Sequence, residues 1–147
     1  MTPPPPPPTP AERVLCGLVS GLAQRIEGHV RERAGRLGLT APQATALREM
    51  SGPMTMRELA ERMSCEPSNA TFVVDRLEKE GLVERRPHPT DRRARHLVLT
   101  AEGAERRERL LVLLATDSPL AGLDDAQQSA LRTLLRQALE DRPTAGG

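Results

Sequence analysis

Pro67 is followed by Ser68, Asn69, Ala70 and Thr71, a run of small side chains that mixes hydrogen-bonding groups with methyls. On the first turn of a helix such a run can approach the edges of base pairs. Asn69 can bond an adenine bidentately, Ser68 and Thr71 can bond base edges or phosphates, and Ala70 or the Thr71 methyl can touch thymine. A second cluster lies just beyond. Between positions 84 and 95, Arg85, Arg86, Arg92, Arg93 and Arg95 stand against only Glu84 and Asp91. Arginines at a loop tip can enter the minor groove, where narrow A·T stretches concentrate negative potential. A solvated face is the ordinary reading of an arginine run, but its place directly after a polar helix start favours contact with DNA.

The surrounding sequence predicts the elements that would present these side chains. Thr55 and Glu58 form a capping box that opens a short helix to Met63. Ser64, Cys65 and Glu66 make a turn, and Pro67 occupies a first helical position. The next helix runs to Glu80 and ends at Gly81, a left-handed C-terminal cap. Two strand-like segments, Leu82 to Arg86 and Arg95 to Leu99, flank a polar loop and predict a hairpin. Helix, turn, helix and basic hairpin is the layout in which the second helix enters the major groove and the hairpin lies beside it.

Further helices bracket this lobe. Val14, Leu15, Leu18, Val19, Leu22, Ile26 and Val30 recur at helical spacing from Ala11 to about Leu37. Gly17, Gly21 and Gly28 share another face, where close approach of a second helix would explain them. Thr40 and Gln43 cap a helix to about Met50, stopped by Gly52 and Pro53. Thr100 caps another to about Thr116. Asp124 and Gln127 cap a last one, ending near Asp141, with Leu131, Leu134, Leu135, Ala138 and Leu139 as its buried stripe. The expected architecture is mainly α with a small β-hairpin wing: a winged helix-turn-helix of about six helices, dimeric through its N- and C-terminal helices. The expected organisation is a disordered proline-rich arm over 1–10, dimerisation helices over 11–39 and 101–142, a DNA-binding lobe over 40–100 and a disordered tail over 143–147. The proline run, Pro3 to Pro8 with Pro10 beyond it, is expected to be an extended arm unable to start a helix.

Composition sets bounds on function. Net charge is only +1, so any DNA footprint must come from local clustering. Phe72 is the one aromatic among Phe, Trp and Tyr, and the core must be aliphatic. Cys16 and Cys65, in a chain without a recognisable signal peptide, read as reduced thiols of a cytoplasmic protein. The longest apolar run, Leu110 to Ala115, is too short to span a bilayer. His29, His88 and His96 show no metal-ligand spacing with the cysteines. No phosphate loop, nucleophile elbow or paired carboxylate appears, so neither an enzyme nor a cofactor is expected.

The stretch TMRELAERMSCEPSNATFVVDRLEKEGLVERRPHPTDRRARHLVLTAEG, Thr55 to Gly103, resembles the multiple-antibiotic-resistance regulator (MarR) family. The likeness rests on "SNAT…VDRLEKEGLVER" and "DRRARHLVLTAEG", and extends more weakly over residues 11 to 142. It implies a homodimeric transcriptional regulator, a repressor relieved by a small ligand, whose first and last helices interlock and which reads a palindromic operator. Ser68, Asn69 and Thr71 would face the major groove. Arg93 matches the wing-tip arginine, with Arg86, Arg92 and Arg95 beside it. Asp91 matches the acidic residue that holds the wing in shape, and Arg76 would lie near the DNA backbone or pair with Asp91. Glu66 stands where the family usually has aspartate, which leaves the cap weaker or shifted to Ser64. The family's ligand crevice suggests His29, Arg33, Met50 and Met54 as lining residues. Cys16 sits where a peroxide-sensing branch has its reactive cysteine, but the tyrosines that assist it there are absent here, which favours a structural thiol. A winged helix used for protein contact would lack the polar helix start and basic wing, both of which are present.

Overall fold

The computed structural model describes residues 1–140; the expected tail over 143–147 lies outside the described residues. Contacts divide the chain into two compact units, the first ending at Thr116 and the second beginning at Asp117.

The first unit holds α1 (Pro10–Arg36), α2 (Ala41–Glu49), α3 (Met56–Met63), α4 (Pro67–Lys79), β1 (Val83–Pro87), β2 (Arg95–Leu99) and α5 (Ala101–Ala115). Local chemistry sets most boundaries. α1 starts on a proline, contrary to the expectation that the proline run ends short of any helix. Pro10 lacks only an N–H that a first turn leaves unbonded, and Thr9 accepts from the Glu12 amide at 3.1 Å. Thr40 and Gln43 close a full capping box. At Thr55 only half of the expected box forms, the hydroxyl accepting from the Glu58 amide. Gly81 takes a left-handed φ of 75° after α4.

The core lies among α2, α3, α4, the hairpin and the inner ends of α1 and α5, with Leu47, Leu59, Val74, Leu77, Leu97 and Leu110 fully enclosed. β1 and β2 pair antiparallel in register Val83–Leu99 to Pro87–Arg95. Met54 adds a single bridge to Leu97 on the other edge of β2, which the sequence did not suggest. Gly103 is needed where α5 begins: a Cβ there would sit 1.9 Å from the Leu82 carbonyl oxygen. Thr100 locks the same junction, its amide donating to Leu82 O and its hydroxyl to Gly81 O.

Charged side chains seal the helix ends. Arg107 donates from Nε to Leu47 O (2.8 Å) and from a terminal nitrogen to Arg48 O (3.1 Å), at the C-terminus of α2. Arg106 donates to Leu37 O beyond α1. Arg33 reaches Leu113 O and Thr116 O, and His29 Nε2 bonds Leu114 O at 2.8 Å. These carbonyls lie in or just past the last helical turns, where the regular ladder runs out; Leu47 O and Leu113 O also accept from the cap amides of Met50 and Thr116, and the side chains supply further donors. On the exposed side of α1, Arg36 first and then Arg33 hold the Glu32 carboxyl below the usual range.

The second unit contains a turn segment and α6 (Asp125–Glu140). Asp124 and Gln127 cap it reciprocally, at 2.8 and 3.0 Å. The expected buried stripe is not buried: no residue of α6 is, and Leu134 and Leu139 are well exposed. Val14, Leu15, Leu18 and Val19 of α1 are exposed too, and among the described residues no other element comes within 4 Å of a Cβ placed at Gly17, Gly21 or Gly28.

Candidate nucleic-acid interface

α3 and α4 meet through a turn made possible by Ser64, which adopts a left-handed φ of 55° as the C-cap of α3. That role rules out the suggested shift of the α4 cap to Ser64. Glu66 is the N-cap of α4 and makes no side-chain cap bond. Ala70, Val73, Val74 and Leu77 turn inward. Ser68, Asn69 and Thr71 are exposed. Ala70 has no exposed surface, which corrects the expectation that its methyl touches thymine. The helix register gives that position to the core. The Thr71 hydroxyl donates to Pro67 O at 2.9 Å, so its outward feature is the methyl.

The wing is fixed to α4 by Arg85, which reaches Asp75 at 2.5 Å and Glu78 at 3.4 Å. At the tip, Asp91 Oδ1 accepts from the Arg93 amide at 2.9 Å, a local turn that shapes the loop. His88 Nδ1 accepts from the amides of Thr90 and Asp91 and stacks on His96, ring centroids 4.3 Å apart. Arg86 pairs with Glu84 at 3.0 Å. Arg92, Arg93 and Arg95 are exposed and carry no ion pair among the described residues. Arg76 is likewise exposed and does not pair with Asp91. It rims a hollow with Phe72, Lys79 and Glu80.

Two further hollows flank α4. A concavity of about 390 Å³ brings Thr71 beside Arg57 of α3 and Arg85 and Arg95 of the wing. A cleft of about 710 Å³ lies among α1, α2 and α4, bordered by Ile26, Arg31, Arg48, Met63 and Asn69. None of His29, Arg33, Met50 and Met54 borders that cleft. His29 and Arg33 cap α5, and Met50 and Met54 are buried core at 1% and 2% exposure, though Met50 also edges a smaller hollow beside Gly52 and Arg107. Apolar side chains of this type serve core and pocket alike, and burial decides between them.

The sequence model of the MarR family matches residues 39–94. The HTH-type transcriptional repressor MdtR of Bacillus subtilis (strain 168) is 35% identical over 95 residues, 63% of this chain and 61% of its own length. YwoH of the same organism, an uncharacterized HTH-type transcriptional regulator, is 30% identical over 132 residues, 87% of this chain and 96% of YwoH.

The chain belongs to the MarR family.

The crystal structure of Sco3205, a MarR family transcriptional regulator from Streptomyces coelicolor in complex with DNA, superposes with a TM-score of 0.75 at 25% identity, over 97% of this chain and 96% of that one. The chain spans about three fifths of the length of the first curated relatives it matches.

As a MarR-family lobe the region is a winged helix-turn-helix with its polar helix start and basic wing on the surface. Sequence reasoning did not single out Arg57, the pairing of Arg85 or the exposure of Phe72. Arg57 sits in the concavity beside Thr71, but nothing in its local pattern distinguishes it from a solvated helix arginine. Arg85 was grouped with the free arginines, whereas Asp75 and Glu78, ten and seven positions earlier, engage it. Phe72 had a signal, as the sole aromatic inside the recognition helix, and it proves 64% exposed. Cys16 is exposed on α1 and Cys65 half-buried beside the cleft.

Proposed function

We propose that the chain is a sequence-specific transcriptional repressor that reads a palindromic operator as a homodimer and is released by a small ligand. One observation carries the DNA reading: the exposed start of α4 and the wing arginines flank one concavity, with Thr71, Arg57 and Arg95 on its walls. A major groove admits such a helix, and phosphates on either side take the arginines. Ser68, Asn69 and Thr71 are the proposed base and phosphate contacts. Arg76, Arg86, Arg92, Arg93 and Arg95 supply charge, and Asp91 shapes the wing tip. MdtR, by name a repressor, and Sco3205, by its title bound to DNA, support the assignment. No helix among the described residues is long and apolar enough to cross a membrane, which agrees with work on DNA in the cytoplasm.

The exposed stripes Val14–Leu15–Leu18–Val19 and Leu134–Leu135–Leu139 are the proposed dimer faces, within the segments 11–39 and 101–142 proposed for dimerisation. For the ligand, the α1–α2–α4 cleft replaces the residues suggested by the sequence. Its apolar wall with Arg31 and Arg48 at the edge suits a small amphipathic anion, and Asn69 on its border would couple occupancy to base reading.

Selection of bound duplexes from a random library tests the central claim. Enrichment of a two-fold symmetric sequence is expected, and Asn69→Ala relaxes preference at one symmetric pair of positions, at about 1–3 kcal/mol per site. No enrichment, or the same consensus for both proteins, argues against it.

A further inference from the structure

Phe72 presents most of its ring to solvent from the middle of the proposed recognition helix. Its position on the helix gives the exposure meaning. Ser68, Phe72, Asp75 and Lys79 follow one another at spacings of four, three and four, which places them on one face. That face is opposite the inward-turned Ala70, Val73, Val74 and Leu77. Phe72 therefore lies on the outward ridge one turn after Ser68, and one edge of its ring borders the α1–α2–α4 cleft together with Asn69. The single negative charge on the ridge, Asp75, is answered by Arg85 at 2.5 Å. Arg76 and Lys79, with Glu80, follow Phe72 around the next hollow, which puts two cations beside the apolar ring.

A phenyl ring carries no hydrogen-bonding group. Among the base edges in a major groove, the one apolar feature is the 5-methyl of thymine. We infer that Phe72 reads a thymine methyl in each half-site, so that this position of the operator is specified by apolar contact rather than by hydrogen bonding. This rests on the DNA-binding reading. A protein partner covering Phe72 is the competing use of the ring, and the test below separates the two.

The full-length chain is used to select duplexes from a random library. In the enriched duplex, each symmetric pair of thymines is then replaced by deoxyuridine, which removes only the methyl. Affinities are measured by fluorescence anisotropy at fixed salt. At one symmetric pair, deoxyuridine is expected to weaken wild-type binding by about fourfold per methyl, the worth of one buried methyl-sized group. That penalty disappears in Phe72→Ala and persists in part in Phe72→Leu. Because the ring is exposed, Phe72→Ala keeps the wild-type melting temperature, which establishes that both proteins are folded. If no thymine pair discriminates in the wild type, or the penalty is equal in Phe72→Ala, Phe72 does not read the methyl although DNA binding stands. If the wild type enriches no duplex, the DNA reading falls and this inference with it.

Discussion

Arginine is used in opposite ways at the helix seam and at the wing tip. At the seam, Arg33, Arg106 and Arg107 are half-buried and donate to carbonyls at the ends of α5, α1 and α2. At the tip, Arg92, Arg93 and Arg95 extend into solvent with no ion pair among the described residues. The same side chain completes the fold in one place and is left for a partner in the other. What differs is the setting: at the seam, carbonyls of the helix ends lie within reach of the guanidinium groups, whereas at the tip the Asp91 carboxylate is engaged by the Arg93 amide and the guanidinium groups point to solvent. Near-neutral net charge is compatible with DNA binding because Arg92, Arg93 and Arg95 are clustered at the wing without ion pairs among the described residues, so the local charge differs from the chain's total.

Removing a seam arginine should cost the most, and it should cost stability. Arg107→Ala loses two hydrogen bonds from a charged donor and leaves the Leu47 and Arg48 carbonyls incompletely paired. A loss of about 2–3 kcal/mol is expected in denaturant unfolding, with operator affinity of the folded protein unchanged. A fall in affinity without a fall in stability would erase the distinction between the two regions.

Arg85 stands between the two classes, since it lies on the wing and is paired to α4. Its pairs are part-exposed, so Arg85→Ala should cost no more than about 1 kcal/mol of stability. Operator affinity should fall more clearly, because Asp75 then faces phosphate unneutralised and the wing loses its tie to α4. Double substitution with Asp75→Asn is expected to restore part of the affinity. No restoration would place Arg85 on the DNA instead.

Arg93 sharpens the other pole. Its removal leaves unfolding unchanged. The plot of log affinity against log salt should flatten by about 0.9 per protomer, the loss of one phosphate contact. An unchanged slope would mean the tip arginine stays in solvent.

The same contrast explains what the sequence could and could not disclose. Helix ends were legible wherever the cap is local, as at Thr40 with Gln43, Asp124 with Gln127 and Gly81. The polar start of α4 and the basic hairpin were legible because their chemistry is carried by neighbouring residues. Contacts between distant segments were not. Arg33 and His29 suit a crevice by type, yet their partners are the carbonyls of Leu113, Leu114 and Thr116, eighty or more positions away. Ala70 was placed on the wrong face because four successive small residues do not reveal helix register. Met50 and Met54 fit a pocket as well as a core until packing around Leu97 encloses Met54.

Cys16 should give the smallest effect. It is exposed on α1, so peroxide can reach it, but reach alone does not make a sensor. A sensing thiol needs its thiolate stabilised by a nearby cation or hydrogen-bond donor, and no hydrogen bond to its sulfur is made among the described residues. Its neighbours Leu15 and Gly17 offer no side-chain donor, and the chain has no tyrosine to supply one. Operator affinity measured before and after mild peroxide is therefore expected to be the same, in wild type and Cys16→Ser alike. Peroxide-driven release that Cys16→Ser abolishes would show that the α1 stripe is a redox-gated surface, and the division between structural and partner-facing regions would have to be redrawn through α1 as well as through the wing.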